Sequence, residues 1–190
     1  MDRPTADVSV RTAWAADAEP IAHTQVRAWR RQYAGTLPDE VLAALDPAAF
    51  AAQWSEAITR PAEARNRVLV ALNGPTVVGF AITAVADDPD ADPASDGQVA
   101  ELVVDPDHQR AGHGSRLLQA CADTLRADRF TRATLWVTST DDALRGFLTD
   151  AGWAPDGAHR ELDLTGDGSV RVKQVRLHTD LTPDPPSDGS

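Results

Sequence analysis

Past the middle of the chain a short apolar run, Val99 to Val104, stops at Asp105-Pro106. Gly112-His113-Gly114 then open a segment in which Leu117, Leu118, Cys121 and Leu125 recur at helical spacing. The order is strand, glycine loop, helix, and it fixes the polarity of one crossover in any fold this chain adopts. Gly112 and Gly114 have no side chain to cover the backbone N–H groups at the helix entry, where unpaired donors and the positive end of the helix dipole face one point. An anion fits there, most naturally a pyrophosphate. Two common phosphate loops are excluded by the residues themselves. Gly114 is followed by Ser115-Arg116, so a P-loop's lysine is missing, and Leu117 stands where a dinucleotide fingerprint has its third glycine.

The segments around this unit follow from periodicity and turn residues. Val8 and Val10 alternate with polar neighbours, which predicts a strand. Asp17 is a capping candidate ahead of a helical stretch with Ile21, Val26, Trp29 and Tyr33 on roughly one face, ended by Gly35. Leu37-Pro38-Asp39 starts a short second helix, and Asp46-Pro47 opens a third with Phe50, Trp54 and Ile58. Val68–Leu72 and Val77–Val85 flank Asn73-Gly74-Pro75 and predict an antiparallel hairpin. Asp87 to Gly97 reads as a solvated loop. A strand at Ala133–Val137, a helix from Asp141 to about Ala151, and a hairpin of Arg160–Leu164 with Val170–Leu177 complete the pattern. The mixture of hairpins and one strand–helix–strand crossover predicts an α+β fold with a mixed, mostly antiparallel twisted sheet and flanking helices.

At 190 residues and 42% hydrophobic content the chain suits one domain, expected over residues 1–181, with an acidic, proline-rich and disordered tail at 182–190. No apolar run approaches the roughly 18 residues of a membrane helix, and Met1–Val10 lacks a signal peptide's apolar core, so a cytoplasmic location is expected. The lone Cys121 reads as core. A net charge of −11 disfavours nucleic acid as a partner and favours cationic small molecules or basic peptides. His23, His108, His113, His159 and His178 are scattered without metal-ligand spacing and read as surface residues, and no metal is expected.

Gln109-x-x-Gly112-x-Gly114, after a strand ending in Val-Asp-Pro, resembles the coenzyme A pyrophosphate loop of the GNAT acetyltransferase superfamily. Leu102–Pro106 is similar to that superfamily's fourth strand, Trp29–Leu45 to its first two helices with their Leu-Pro-Asp joint, and Phe147–Trp153 to its late Phe-Tyr-x-x-x-Gly-Phe motif. The resemblance covers nearly all of the chain before the tail. It implies a splayed pair of central strands, a pantetheine arm paired with main-chain groups near Val103 and Val104, and a pyrophosphate at the N–H groups of Gln109, Arg110, Ala111, Gly112, His113, Gly114 and Ser115. Arg110 is a candidate side-chain neighbour. Acetyl-coenzyme A is then the donor and a small cationic amine or peptide amine the acceptor; whether such a chain pairs as a homodimer is left open.

Amine acetylation needs a neutral amine, oxyanion stabilisation and a proton for the departing thiolate. Glu101, on the strand implied to hold the cofactor arm, is the candidate base, with an exposed strand residue as the alternative. The backbone N–H near Val104 is the candidate oxyanion donor. Trp29 and Tyr33 are candidates for the acceptor pocket, with core packing as the alternative for Trp29. Two residues depart from the resemblance: Leu148 stands where the superfamily often has a proton-donating tyrosine, and Asp141 where it often has asparagine. On that reading Leu148→Tyr is expected to speed turnover. The two departures keep open a second reading, a non-catalytic module that binds acyl-coenzyme A, which turnover would separate from an enzyme.

Overall fold

The computed structural model describes residues 8–182. The expected tail therefore lies, apart from Thr182, outside the described residues. The chain runs β1 (Val8–Thr12), α1 (Ala18–Gln32), α2 (Asp39–Ala43), α3 (Pro47–Thr59), β2 (Arg67–Asn73), β3 (Thr76–Val85), β4 (Asp96–Val104), α4 (His113–Ala127), β5 (Arg132–Thr138), α5 (Asp142–Asp150), β6 (Ala154–Asp163) and β7 (Arg171–Asp180). One seven-stranded sheet has the order β1-β2-β3-β4-β5-β7-β6, antiparallel except for the β4–β5 pair. The expected α+β class and mixed sheet are what forms.

Two apolar layers hold helices on opposite faces. Alternation along the strands sends Leu69, Ala71, Val78, Ala81, Val99 and Leu135 to one face, where they pack with Leu117, Leu118, Cys121 and Leu125 of α4 and Leu148 of α5. Val68, Val70, Phe80 and Val77 go to the other face, under Ile21 and Ala22 of α1 and Trp54 of α3. The starts of α3 and α5 follow the sequence signals: the Asp46 carboxylate accepts from Ala48 N–H at 3.0 Å with Pro47 at the first helical position, and Asp141 accepts from Leu144 N–H at 3.0 Å.

The functional consequence of the topology lies at β4. It pairs with β5 only over Asp96–Gln98 against Arg132–Thr134, and beyond that point the two strands part. A bulge helps to turn β4 away: Ile82 opposes Glu101 and Thr83 opposes Val99, leaving Ala100 without a partner. The splayed central pair that the resemblance implies is therefore present.

Some expectations need correction. β4 starts at Asp96, three residues before the expected Val99, and the loop before it is only partly solvated. Asp96 is buried and accepts from the Asp92 N–H at 3.1 Å, and the Asp88 side chain is nearly covered because the Trp136 indole N–H and the buried Arg176 guanidinium on the sheet need acceptors: Asp88 takes Trp136 at 3.0 Å and Arg176 at 3.1 Å, and Asp90 takes Arg176 at 2.6 Å. Asp17 makes no side-chain cap on α1. Its carboxylate turns back to the Trp14 N–H at 2.7 Å and the Arg11 guanidinium at 2.6 Å. β6 starts at Ala154, six residues before Arg160, through an irregularity between Pro155 and His159 where Gly157 has φ of 87°. A strand interrupted in this way shows weak alternation in sequence.

Candidate active site

Between the parted ends of β4 and β5 lies a cleft of about 440 Å³, walled by Val103 and Val104 on one side and Thr138 and Thr140 on the other. Tyr33 and Thr36 stand at the end of α1, Gln109 at the glycine loop and Asp141 at the start of α5. Hydrogen bonding decides which backbone groups face it. The Asp105 N–H bonds the Val78 carbonyl of β3, so Val103, its like-facing neighbour, also points its N–H and C=O at β3. Leu102 and Val104 consequently point theirs into the gap that β5 has left. This refines the expectation: Val104 offers main-chain groups to a ligand, Val103 only its side chain, and Leu102, not singled out from the sequence, takes the second main-chain position.

At the wide end of the cleft the loop Gln109–Gly112 enters α4. Arg110 has φ of 61° and Gly112 of 84°, a left-handed conformation at alternate residues that turns successive N–H groups toward one side. The first helical bond of α4 runs from Arg116 N–H to the Gly112 carbonyl, so His113, Gly114 and Ser115 have no intrahelical acceptors. A Cβ on Gly114 would sit 3.6 Å from Phe147 and 3.7 Å from Val104, ordinary contact distances, so Gly114 packs the helix entry against α5 and the end of β4. Ala111, Gly112 and Ser115 are exposed. These residues fit a pyrophosphate, with Arg110 on the exposed rim.

His113 differs from expectation. It is 2% exposed, its Nδ1 has no partner, and it packs edge-on to His108 at 6.4 Å. Burial first, then the neighbouring His108 and Arg116, lower its pKa and keep the ring neutral. Its backbone N–H faces the loop; its side chain cannot. A single bulky residue among small ones (Ala111-Gly112-His113-Gly114) was the available signal that residue 113 points inward.

Glu101 lies on β4 two residues before Val103. It is partly buried and not an exposed strand residue. Desolvation lifts its carboxyl from the ordinary 4.5 to about 7, and the Trp29 indole N–H facing it offsets part of that rise. Tyr33 is pushed up as well, by burial and then by the Glu101 charge, so its phenol stays protonated. Glu101, Trp29 and Tyr33 thus form one neighbourhood. Tyr33 lines the cleft, whereas Trp29 stands behind it, edge-on to Tyr33 at 6.3 Å and Phe50 at 5.4 Å.

The two departures have structural explanations. Leu148 is 0% exposed in the core beneath α4, and the neighbour that reaches Gly114 is Phe147. Leu148 does not face the cleft, so the expected gain from a tyrosine there is withdrawn. Asp141 borders the cleft with its carboxylate committed to capping α5.

The strand–loop–helix unit and the parted parallel pair leave a gap with unpaired N–H groups at one end, an arrangement that fits an extended ligand carrying an anion. The sequence profile of the Acetyltransferase (GNAT) family matches residues 23–153, and the chain belongs to that family. Its class of reaction is acetyl transfer. Solved structures superpose over nearly full length. The ribosomal-protein-S18-alanine N-acetyltransferase from Escherichia coli has a TM-score of 0.64 at 18% identity, covering 95% of this chain and 97% of that one. The PaiA N-acetyltransferase from Thermoplasma acidophilum in complex with coenzyme A gives 0.67 at 13%, covering 91% and 98%. YncA from Salmonella typhimurium with its cofactor acetyl-CoA gives 0.66 at 18%, covering 97% and 99%. At these identities the likeness is one of fold. No curated protein matches the sequence. Among the described residues, no helix is long and apolar enough to cross a membrane.

Proposed function

We propose that the chain is an N-acetyltransferase that moves the acetyl group of acetyl-coenzyme A onto an amine, with Glu101 as general base. The observation that carries this is the placement of a partly buried carboxyl on the strand whose end walls the cleft, beside Tyr33, where desolvation raises it to about 7. The pyrophosphate binds the N–H groups from Gln109 to Ser115, and the pantetheine arm pairs with the gap-facing groups of Leu102 and Val104. Glu101, directly or through one water, takes a proton from the ammonium form of the acceptor. The freed nitrogen attacks the thioester carbonyl, the Val104 N–H donates a hydrogen bond to the developing oxyanion, and the C–S bond breaks. The thiolate leaves with a proton from Tyr33, the only phenol in the chain and one that lines the cleft, and the second proton of the attacking nitrogen passes through solvent to the resulting phenolate, which leaves a neutral amide.

A net charge of −11 supports a cationic acceptor, either a small amine or a peptide amine. The alternative, a non-catalytic acyl-coenzyme A-binding module, drew on Leu148 and Asp141, which the core and the α5 cap explain. Free thiol released from acetyl-coenzyme A is the test, measured with purified protein across an amine library. Release that depends on an amine supports transfer; binding of acetyl-coenzyme A without release from any amine would favour the module.

A further inference from the structure

A second cavity borders Ile82, the cross-strand neighbour of Glu101. Antiparallel partners share a face, and the register pairs Val68 with Ile82 and Ile82 with Glu101, so these three residues form one row across β2, β3 and β4 beneath the α1–α3 layer. Val103, the next residue along that face of β4, lines the cleft; Ile82 lines the second cavity. Glu101 lines neither cavity but neighbours both Val103 and Ile82 on that face. The second cavity encloses about 670 Å³ between the C-terminal half of α3, the chain that follows it, and the sheet, with Trp54, Ala57, Ala62, Val68 and Ile82 in its lining. Its floor has little to offer a polar ligand. The Trp54 indole N–H is already donated to Gln25 Oε1 at 2.8 Å, which leaves the ring's carbon surface, and Val68 and Ile82 are aliphatic. The charges at the rim are mutually paired, Arg60 with Glu56 at 3.4 Å and Arg67 with Asp128.

We infer that this groove takes the carbon skeleton of the acceptor, so that the substrate is a primary amine on an apolar aliphatic or aromatic arm. The inference rests on the acetyl-transfer reading with Glu101 as base. An ammonium held at Glu101 lies one strand spacing, about 5 Å, from Ile82, a span that two or three methylenes cover. An apolar arm then leaves water against Val68, Ile82 and the Trp54 ring, whereas a second ammonium at its far end would lose hydration there and could regain a counter-charge only by drawing the rim residue Glu56 from Arg60. The site thus discriminates between a monoamine and a diamine of equal length.

The test compares methylamine, propylamine, hexylamine, phenethylamine and 1,6-diaminohexane at saturating acetyl-coenzyme A. Each methylene that enters the groove lowers KM about fourfold, and hexylamine is preferred over 1,6-diaminohexane by at least about tenfold. Ala57→Phe, at an exposed position of α3, fills the groove and shrinks the preference for hexylamine over methylamine by about tenfold or more. Turnover that ignores arm length, or a preference that Ala57→Phe leaves intact, overturns the groove while acetyl transfer stands. If no amine releases thiol, acetyl transfer falls instead. The groove is then decided by calorimetry of hexylamine on the coenzyme A-loaded protein: binding weakened by Ala57→Phe supports it, and equal or absent binding refutes it.

Discussion

Glu101→Gln keeps the shape of the side chain and a hydrogen-bond acceptor for the Trp29 indole while removing the base, and the structure makes it act on rate and on stability in opposite directions. With a carboxyl near 7, about nine sites in ten are ionised at pH 8 and about one in ten at pH 6. Wild-type kcat/KM should therefore fall about tenfold across that interval beyond any loss from protonation of the amine itself. The mutant should lack this limb and lie about 10²–10⁴ below wild type at pH 8, recovering in part as higher pH supplies neutral amine. Stability follows the same ionisation. Because the folded-state value is raised above the unfolded one, the folded chain binds the proton more readily, so folding is favoured at low pH and opposed as the pH rises from 4.5 to 7. Above 7 the buried charge costs about 3 kcal/mol, the equivalent of moving from 4.5 to about 7. Glutamine removes that cost, so the mutant should melt higher than wild type at pH 8, by about 6–12 °C, and the gap should close as the pH falls toward 4.5. Steady-state thiol release and thermal melts across pH 5–9 measure both. A mutant with wild-type rates, or with a melting gap that does not change with pH, would refute a buried carboxylate acting as base.

Gly114→Asp should abolish coenzyme A binding in calorimetry, because it places an anion at the bare helix entry; unchanged affinity in a folded mutant would remove the pyrophosphate site from this loop. Tyr33→Phe should lower kcat about 10²-fold or more with little change in the affinity for coenzyme A, as expected for the loss of a proton donor; an unchanged kcat would assign the thiolate's proton to water. Leu148→Tyr should lower the melting temperature by roughly 5 °C, since overpacking costs about 1–3 kcal/mol, and should not speed turnover. A faster, equally stable mutant would place residue 148 in the cleft.

What the sequence made legible, and what it hid, divides along the range of the interactions. The glycine loop, the Asn73-Gly74-Pro75 hairpin and the Asp46 and Asp141 caps are decided within a few residues, so their chemistry shows in the local string. Glu101 could be placed on the right strand, yet its burial depends on α1 bringing Trp29 over β4, which no local pattern records. Arg176 shows the same limit in reverse. Asp88 and Asp90 look like solvated loop residues until β7 supplies a buried guanidinium 88 positions from the first of them. An uncompensated buried charge is expensive, so the loop's position is set by a partner on another strand and not by its own composition.

The misreading of Leu148 and His113 has a different origin. A motif aligned by spacing assigns a role to a position but not a direction to its side chain, and direction follows from which face of the helix the core claims. On α5 the core claims Leu148 and turns Phe147 toward Gly114; on α4 it claims the His113 ring and leaves only that residue's backbone N–H for a ligand. In both cases the backbone serves the site and the side chain serves the interior. The same division runs along β4, where Leu102 and Val104 turn main-chain groups into the gap. Glu101, on the opposite face, is the titratable side chain beside the cleft that burial lifts to about 7. A cleft built mainly from main-chain donors can bind an extended donor whatever side chains surround it, which leaves the selection of the acceptor to the few side chains around Glu101.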